Sequence, residues 1–373
     1  TLGDTPPELE FRMRRVVDTS GYIASEYHVH SIGSPDSPIP NERRVATAVA
    51  DGIEFYATTD HDNIVEQQPI IEELGLDRLT RSIPGIEISP LVYGHFNAWP
   101  MDYDETSPNG GAVQWPFGAD GFAMIPDEIF ASARSKGAEL LQVNHPRAGA
   151  TTNIDISETV DRRGLYFDYE NRTFQGDIDQ MPVSPDWLRL PPEASSLFSD
   201  GFNSLEVWNG FASVDTDLDG VREISKLDIV MRDWFNFLSF GKGLAPIGSS
   251  DTHHEVLEQM GMPRTMVRVS DDSANAIEEG SSLTREILDN LSRASGAVTD
   301  LVVSDGPHIR LSVDGHSEPL GAVIDGPGGG VNITFVVQSA GWAEFGTLEL
   351  FADDAPVGGH LGVTSLRRVG GCA

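Results

Sequence analysis

Apolar residues recur along this chain in two rhythms, and their alternation predicts the order of elements. In residues 21–30, Ile23, Tyr27 and Val29 share one side of an extended segment while His28 and His30 share the other, which predicts a strand buried on its apolar side. Pro40-Asn41-Glu42 then opens a helix with Val45, Ala48 and Val49 on one face, and Gly52 stops it. A second strand over 53–59 completes a strand–helix–strand unit, which makes the two strands parallel. Further on, the pattern predicts a helical stretch at 63–75 interrupted at Pro69, strands at 82–89 and 93–99, and a Gly-, Pro- and Asp-rich loop at 102–125. A helix from Pro126 to Gly137 leads into a strand at 138–144. Residues 148–200 have weak periodicity and read as a long insertion able to roof a site. A strand at 204–208, an amphipathic helix at 221–239, a strand at 244–250 and a helix at 284–294 follow. Past residue 297 the rhythm changes. Segments 298–303, 308–313, 331–338 and 347–351 alternate apolar and polar residues between Gly-rich turns, the pattern of an antiparallel sheet or sandwich. The division predicted is a domain over 1–296, with the insertion inside it, and a smaller β domain over 297–373.

Composition narrows the function classes. The chain has 373 residues, 39% hydrophobic and 22% charged, as expected of a globular protein with a large core. Its formal net charge is −33, with Lys136, Lys226 and Lys242 its only lysines, so it repels nucleic acid and anionic membrane surfaces. No apolar run approaches the ~18 residues of a membrane span. The single cysteine, Cys372, excludes a disulfide framework and a cysteine metal site. The chain begins at Thr1 without a signal-like segment, as expected of a processed product or an excised piece. Strong acidity suits secreted or periplasmic surroundings better than the cytoplasm.

The chemistry-bearing residues fall where predicted strands end. His28, His30, His61, Glu87, His145, Asp251 and His253 all lie at C-terminal strand ends, the rim on which closed α/β barrels build active sites. Of the 10 histidines, only His308, His316 and His360 lie away from these segments, in the β domain. Imidazole nitrogens with carboxylate oxygens and no thiolate suit zinc, iron or manganese. A lone His-x-His is more often a satisfied pair at a strand edge. A His-x-His, a Thr-Asp-His and an Asp-x-His in this order, on alternating strands and helices, point instead to a metal centre, with Glu87 or Asp251 as a bridging carboxylate.

That constellation resembles the PHP (polymerase and histidinol phosphatase) superfamily of metal-dependent hydrolases, through His28-Val29-His30, Thr59-Asp60-His61, Gly85-Ile86-Glu87, His145-Pro146 and Asp251-Thr252-His253. The resemblance covers residues 18–270 and implies an α/β fold, a distorted seven-stranded (β/α) barrel, here followed by the small C-terminal β-sandwich. More narrowly, Gly94-His95-Phe96-Asn97, Ser249-Ser250-Asp251-Thr252-His253 and Ser304-Asp305-Gly306-Pro307 look like the CehA/McbA branch, named for carbaryl hydrolases. The resemblance implies two or three divalent ions (manganese, zinc or iron) in three subsites. The first takes His28, His30, Glu87 and Asp251; the second takes Glu87 as bridge with His95 and His145; the third takes Asp36, His61 and His253. Asp36 stands where many relatives carry histidine, and Asp60 fits the role of a partner that orients a ligand histidine.

The activity implied is hydrolysis of a small-molecule ester by hydroxide held between two ions and bridged by Glu87, with Asp251 beside it. A phosphoester is the preferred substrate, its oxygens met by Arg147, with His254 as a substrate-side proton donor. A carbamate or carboxyl ester is the alternative; a catalytically silent binding module is the alternative of another class. Arg147 and His254 each also read as surface residues, and Glu206 reads more readily as a non-ligand than as a further ligand. Asp215-Thr216-Asp217-Leu218-Asp219-Gly220 begins like a calcium loop, but position twelve is Lys226 instead of glutamate, so an acidic turn is the better reading. Trp208, Trp234 and Phe235 read as core.

Overall fold

The computed structural model describes residues 15–90, 94–118, 121–146, 159–160, 165–168, 171, 173–176, 189, 194–210, 226–293, 301–313, 333–341, 351–352 and 355–356. The chain opens with β1 (Tyr22–Glu26), α1 (Asn41–Ala50), β2 (Phe55–Thr58), α2 (Gln68–Glu73) and β3 (Arg81–Pro84). It continues through β4 (Ile86–Ile88), β5 (Phe96–Trp99), α3 (Pro126–Ser135) and β6 (Leu140–Val143). The insertion contributes β7 (Thr159–Val160), β8 (Leu165–Asp168) and β9 (Thr173–Gly176), which form a small antiparallel sheet. Then come β10 (Ser204–Asn209), α4 (Lys226–Ser239), β11 (Ala245–Ser249), β12 (Arg264–Arg268), α5 (Ala274–Glu279), α6 (Ser281–Arg293) and β13 (Leu301–Ser304). The last described strands are β14 (His308–Val313), β15 (Ile333–Gln338), β16 (Phe351–Ala352) and β17 (Ala355–Pro356).

Two five-stranded sheets carry the architecture. The first runs β13-β12-β1-β2-β3 and the second β11-β10-β6-β5-β4. In the first, β1, β2 and β3 are parallel, Ser25 standing opposite Phe55 and Phe55 opposite Arg81, while β12 and β13 run antiparallel. In the second, β6, β10 and β11 are parallel and β5 is antiparallel to both its neighbours. At two seams the sheets touch through single parallel bridges, Val29 with Thr252 and His61 with Glu87.

A shared core holds the sheets together. Ile23 of β1, Phe55 and Ala57 of β2, Trp99 of β5, Leu140 of β6 and Ile247 of β11 belong to one buried cluster. Tyr27 stacks on Trp99 with ring centroids 5.1 Å apart, and Asn97 Nδ2 donates to Tyr27 O across the sheets at 2.8 Å. β1 and β2 are buried along their whole length, as strands covered on both faces must be.

The structure departs from the sequence pattern in four places. The single strand expected over 82–89 is two strands in different sheets, parted at Gly85. A Cβ there would lie 2.6 Å from Thr58 O and 3.0 Å from Ala98 O, so only glycine passes between the two backbones. β12 and α5 fall in a stretch to which no element was assigned. The segment expected to open the β domain contains β13, which instead pairs with β12 as the edge of the first sheet. Beyond it the described strands form two separate antiparallel pairs, β14 with β15 and β16 with β17. His308 packs its ring edge-on against Tyr22 at 4.7 Å, resting β14 on β1. No helix among the described residues is long and apolar enough to cross a membrane.

Candidate metal centre

The seams are where the ligand-type residues converge. His28 and His30 follow β1, His61 follows β2, Glu87 lies on β4, His95 precedes β5, His145 follows β6, and Asp251 and His253 follow β11. Both sheets therefore supply one cluster. Asp36 enters from the loop before α1. All nine sequence-predicted ligands fall into groups whose donor atoms lie within 4.8 Å of one another: His28, His30 and Glu87; His28, His145 and Asp251; His61, Glu87 and His95; and His30, Asp36, His61 and His253. His30 joins the last group as well as the first, a sharing the sequence did not indicate.

Glu87 is the hub. Its buried carboxylate lies 3.2 Å from His28, 3.5 Å from His30, 2.8 Å from His61, 3.1 Å from His95 and 3.4 Å from His145. Asn144 Nδ2 donates to it at 2.8 Å. Asp251 Oδ1 sits 3.1 Å from the Nε2 atoms of both His28 and His30, across the seam. Asp36, half exposed, stands 3.1 Å from His61 and 3.3 Å from His253 at the mouth. Asp251 and His145 both take left-handed backbone conformations, φ 54° and 28°. Such strain costs about 1–3 kcal/mol per residue and persists where surrounding structure imposes it, chiefly at functional sites.

The residues behind the ligands set which ring nitrogen faces inward. His28 Nδ1 lies 2.9 Å from Glu206 Oε1, an acceptor only, so in the neutral ring Nδ1 carries the hydrogen and Nε2 presents its lone pair to the centre. Glu206 is thus the orienting carboxylate behind His28 and not a ligand; it also accepts from Ser249 Oγ at 2.9 Å and His145 N at 2.6 Å. His253 repeats the scheme, with Nδ1 on the carbonyl of Asp251 at 2.8 Å, while His30 Nδ1 lies 2.8 Å from Ser34 Oγ, a hydroxyl able to donate or accept. Asp60, expected to orient a histidine, instead accepts from Ser31 N at 2.6 Å and Ser31 Oγ at 2.7 Å, bracing the loop after His30. Asp62 went unnoticed in the sequence: it accepts from Ser89 N at 3.1 Å, and Ser89 Oγ contacts His61 Nδ1 at 2.6 Å.

His254 is exposed and belongs to none of the clusters. Arg147 and the Asp215–Gly220 acidic turn lie outside the described residues. Trp208 and Trp234 pack against the core, and Phe235 against Trp234 at 5.4 Å. Among the described residues, none after β13 enters a cluster.

The donor set fits divalent transition metals. It consists of imidazole nitrogens and carboxylate oxygens, and two of its buried atoms, His28 Nε2 and Glu87 Oε2, have close ionic neighbours but no well-aligned hydrogen bond. The electrostatics agree. Burial works to discharge His28, but Asp251, Glu87 and Glu206 outweigh it and hold its proton well above the ordinary histidine range. Burial likewise opposes the charge of Glu87, yet His28 and His95 keep it ionised well below the usual carboxylate range. His61 is pushed up to about 9: burial lowers it, and Glu87 and Asp36 more than compensate. His145 is raised in the same way, burial being overcome by Glu87. At His28, His61 and His145 protons occupy the place a cation would take, whereas at His30 burial wins and disfavours the proton.

A pH dependence follows. Metal uptake should expel protons, so affinity should rise from pH 6.5 towards about 9, read as buffer-dependent calorimetric heats. The metal-free protein should behave oppositely. Groups with raised folded pKa values contribute their full stability below the unfolded value of 6.5 and lose it as pH climbs through about 9. Its melting temperature should therefore fall across that window; a rise there would contradict the assignment.

No family model and no curated protein matches the sequence. Among solved structures, the chain is similar to a two-domain protein from Bacteroides vulgatus ATCC 8482 described as containing a predicted PHP-like metal-dependent phosphoesterase. The match has 19% identity and a TM-score of 0.42, covering 79% of this chain and 69% of that one.

Proposed function

We propose that this chain is a metal-dependent hydrolase of ester bonds, built on a PHP-type barrel that the two sheets close between them and similar to the CehA/McbA branch, with a C-terminal β module that begins beyond β13 and not at the expected boundary of 296. The observation that carries the reading is the convergence of five imidazoles on the buried carboxylate of Glu87. Burying a carboxylate is costly unless cationic partners or metals meet it, and a structural ion pair needs one histidine, not five.

Divalent cations held there supply Lewis acidity, lowering the pKa of water to about 7 and stabilising charge that develops on an ester. The chain's own residues divide the remaining work. Glu206 and the carbonyl of Asp251 hold His28 and His253 with Nε2 free to donate its lone pair, and Ser34 fixes the ring orientation of His30. Asn144 fixes the rotamer of Glu87. Asp36 is 50% exposed whereas Glu87, His28 and His30 are fully buried, so substrate approaches from the Asp36 and His253 side. Arg147, just past His145, is assigned to a substrate oxygen.

A phosphoester is the substrate preferred. The carbamate or carboxyl ester reading has one observation in its favour: Ile32, Val256 and Leu257, all well exposed, lie on the loops that carry His30 and His253 and suit an apolar leaving group. Steady-state assays with aryl phosphates, aryl phosphodiesters and naphthyl carbamates on manganese- and zinc-loaded protein decide. Turnover of a phosphoester, reduced in Arg147→Ala, is expected. If only the carbamate turns over and Arg147→Ala leaves that rate unchanged, the phosphoesterase assignment is wrong. Metal-loaded protein silent on every ester would favour a binding module.

A further inference from the structure

The first seam is thinly joined. Val29 and Thr252 make one bridge, and His30 N donates to Thr252 O at 3.1 Å; there is no longer ladder between β1 and β11. Yet the two ligand pairs hang from its two sides, His28 and His30 from one sheet and Asp251 and His253 from the other. The contacts that assemble the first ligand group, Asp251 to His28 and Asp251 to His30, both cross it. Something other than strand pairing must set the gap.

Two buried charged side chains span it. Arg44 lies on the core face of α1 with Val45 and Ala48, where the hydrophobic pattern leaves no reason for a cation, and it is fully buried. Its Nε donates to His30 O at 2.8 Å, Nη1 to Thr252 Oγ1 at 3.1 Å and Nη2 to Thr252 O at 3.2 Å. One rigid guanidinium fork therefore grips the backbone of a ligand on one side and of the residue between two ligands on the other. Below it, buried Glu26 accepts from His28 N at 3.2 Å and from Ser250 N at 3.1 Å, tying the amides that flank the same ligands. A leucine at 44 would fill the core but leave the carbonyls without these donors, and a lysine would keep the charge but lose the fork.

We propose that Arg44 is a positioning residue of the metal centre: by clasping His30 to Thr252 it fixes the separation of the His28–His30 pair from the Asp251–His253 pair. The proposal rests on the metal-centre reading above. It makes a selective claim, because the group of His61, Glu87 and His95 gathers at the other seam, where His61 bridges to Glu87, and includes neither the His28–His30 pair nor the Asp251–His253 pair.

The test is a competition titration of manganese and zinc against a chromophoric chelator, on full-length wild type, Arg44→Lys, Arg44→Met and Thr252→Val, with folding followed by near-ultraviolet circular dichroism. Arg44→Lys and Arg44→Met should both bind at least one equivalent ~10–100-fold more weakly, the range found when partners behind metal ligands are removed. A further equivalent, held by the His61, Glu87 and His95 group, should keep wild-type affinity. Thr252→Val deletes one of the three acceptors, together with the hydroxyl's own donation, shared between Glu258 O and His254 O, and should give a smaller loss in the same equivalent. If the Arg44 variants do not fold, Thr252→Val decides alone. Folded variants with wild-type affinities at every equivalent would overturn the positioning role, as would equal weakening of all equivalents. Wild-type protein that takes up no metal would instead overturn the metal-centre reading itself, and this proposal with it.

Discussion

Glu87→Gln is expected to lower kcat/KM for whichever ester is turned over by at least about 10³-fold, roughly 4 kcal/mol of transition-state stabilisation. The substitution keeps the side chain's volume and its acceptor for Asn144 Nδ2. What it removes is the charge on which five imidazoles converge, and one oxygen able to bridge two cations. The loss should appear in kcat, and bound metal should fall in parallel while near-ultraviolet circular dichroism stays native. Activity within tenfold of wild type would remove Glu87 from the centre of the account.

The largest stability effect should come from Gly85→Ala. Gly85 is where the chain leaves the first sheet at Pro84 and enters the second at Ile86. The new Cβ would meet Thr58 O at 2.6 Å and Ala98 O at 3.0 Å, both backbone atoms of strands locked in ladders, with Trp99 Cβ at 3.2 Å. Neither strand can yield without moving its neighbours, so the upper end of the overpacking range, about 3 kcal/mol, is expected in chemical denaturation. Because Glu87 lies two residues on, metal affinity should fall with stability. A change under about 1 kcal/mol would mean that the two sheets are not pinned together at this glycine.

The local part of this structure was readable from sequence, and the part that depends on distant chain was not. Helix α1 and strands β1, β2, β6, β10 and β11 announce themselves because their periods are local and Gly or Pro punctuates them. The ligand motifs were legible for the same reason: His28-x-His30, Thr59-Asp60-His61 and Asp251-x-His253 each lie within a few residues at a strand end. The break at Gly85 does carry a local sign, the Pro84-Gly85 pair, but Ile83, Ile86 and Ile88 on either side read as one strand, and no local signal says that its halves pair with different partners. β12 and β13 owe their place to antiparallel pairing with β1 and with each other, and no local pattern records that. Glu206 lies 178 residues from the histidine it orients, so its part in the site became visible only in three dimensions. Arg44 was missed for a related reason: a cation on a helix reads as a solvated face, and only its three buried acceptors explain it. Asp62 carries its tie to Ser89 through a backbone amide, which leaves no trace in side-chain chemistry.

The central claim is that the two seams assemble one multinuclear metal centre, and elemental analysis tests it most directly. Wild-type protein should be stripped with chelator, reloaded with manganese or zinc at pH 8, freed of excess ion by buffer exchange and compared with Glu87→Gln. The account predicts two or three equivalents per chain in the wild type and a loss of at least one in the variant. Less than one equivalent in the reloaded wild type, or a count unchanged by Glu87→Gln, would contradict it.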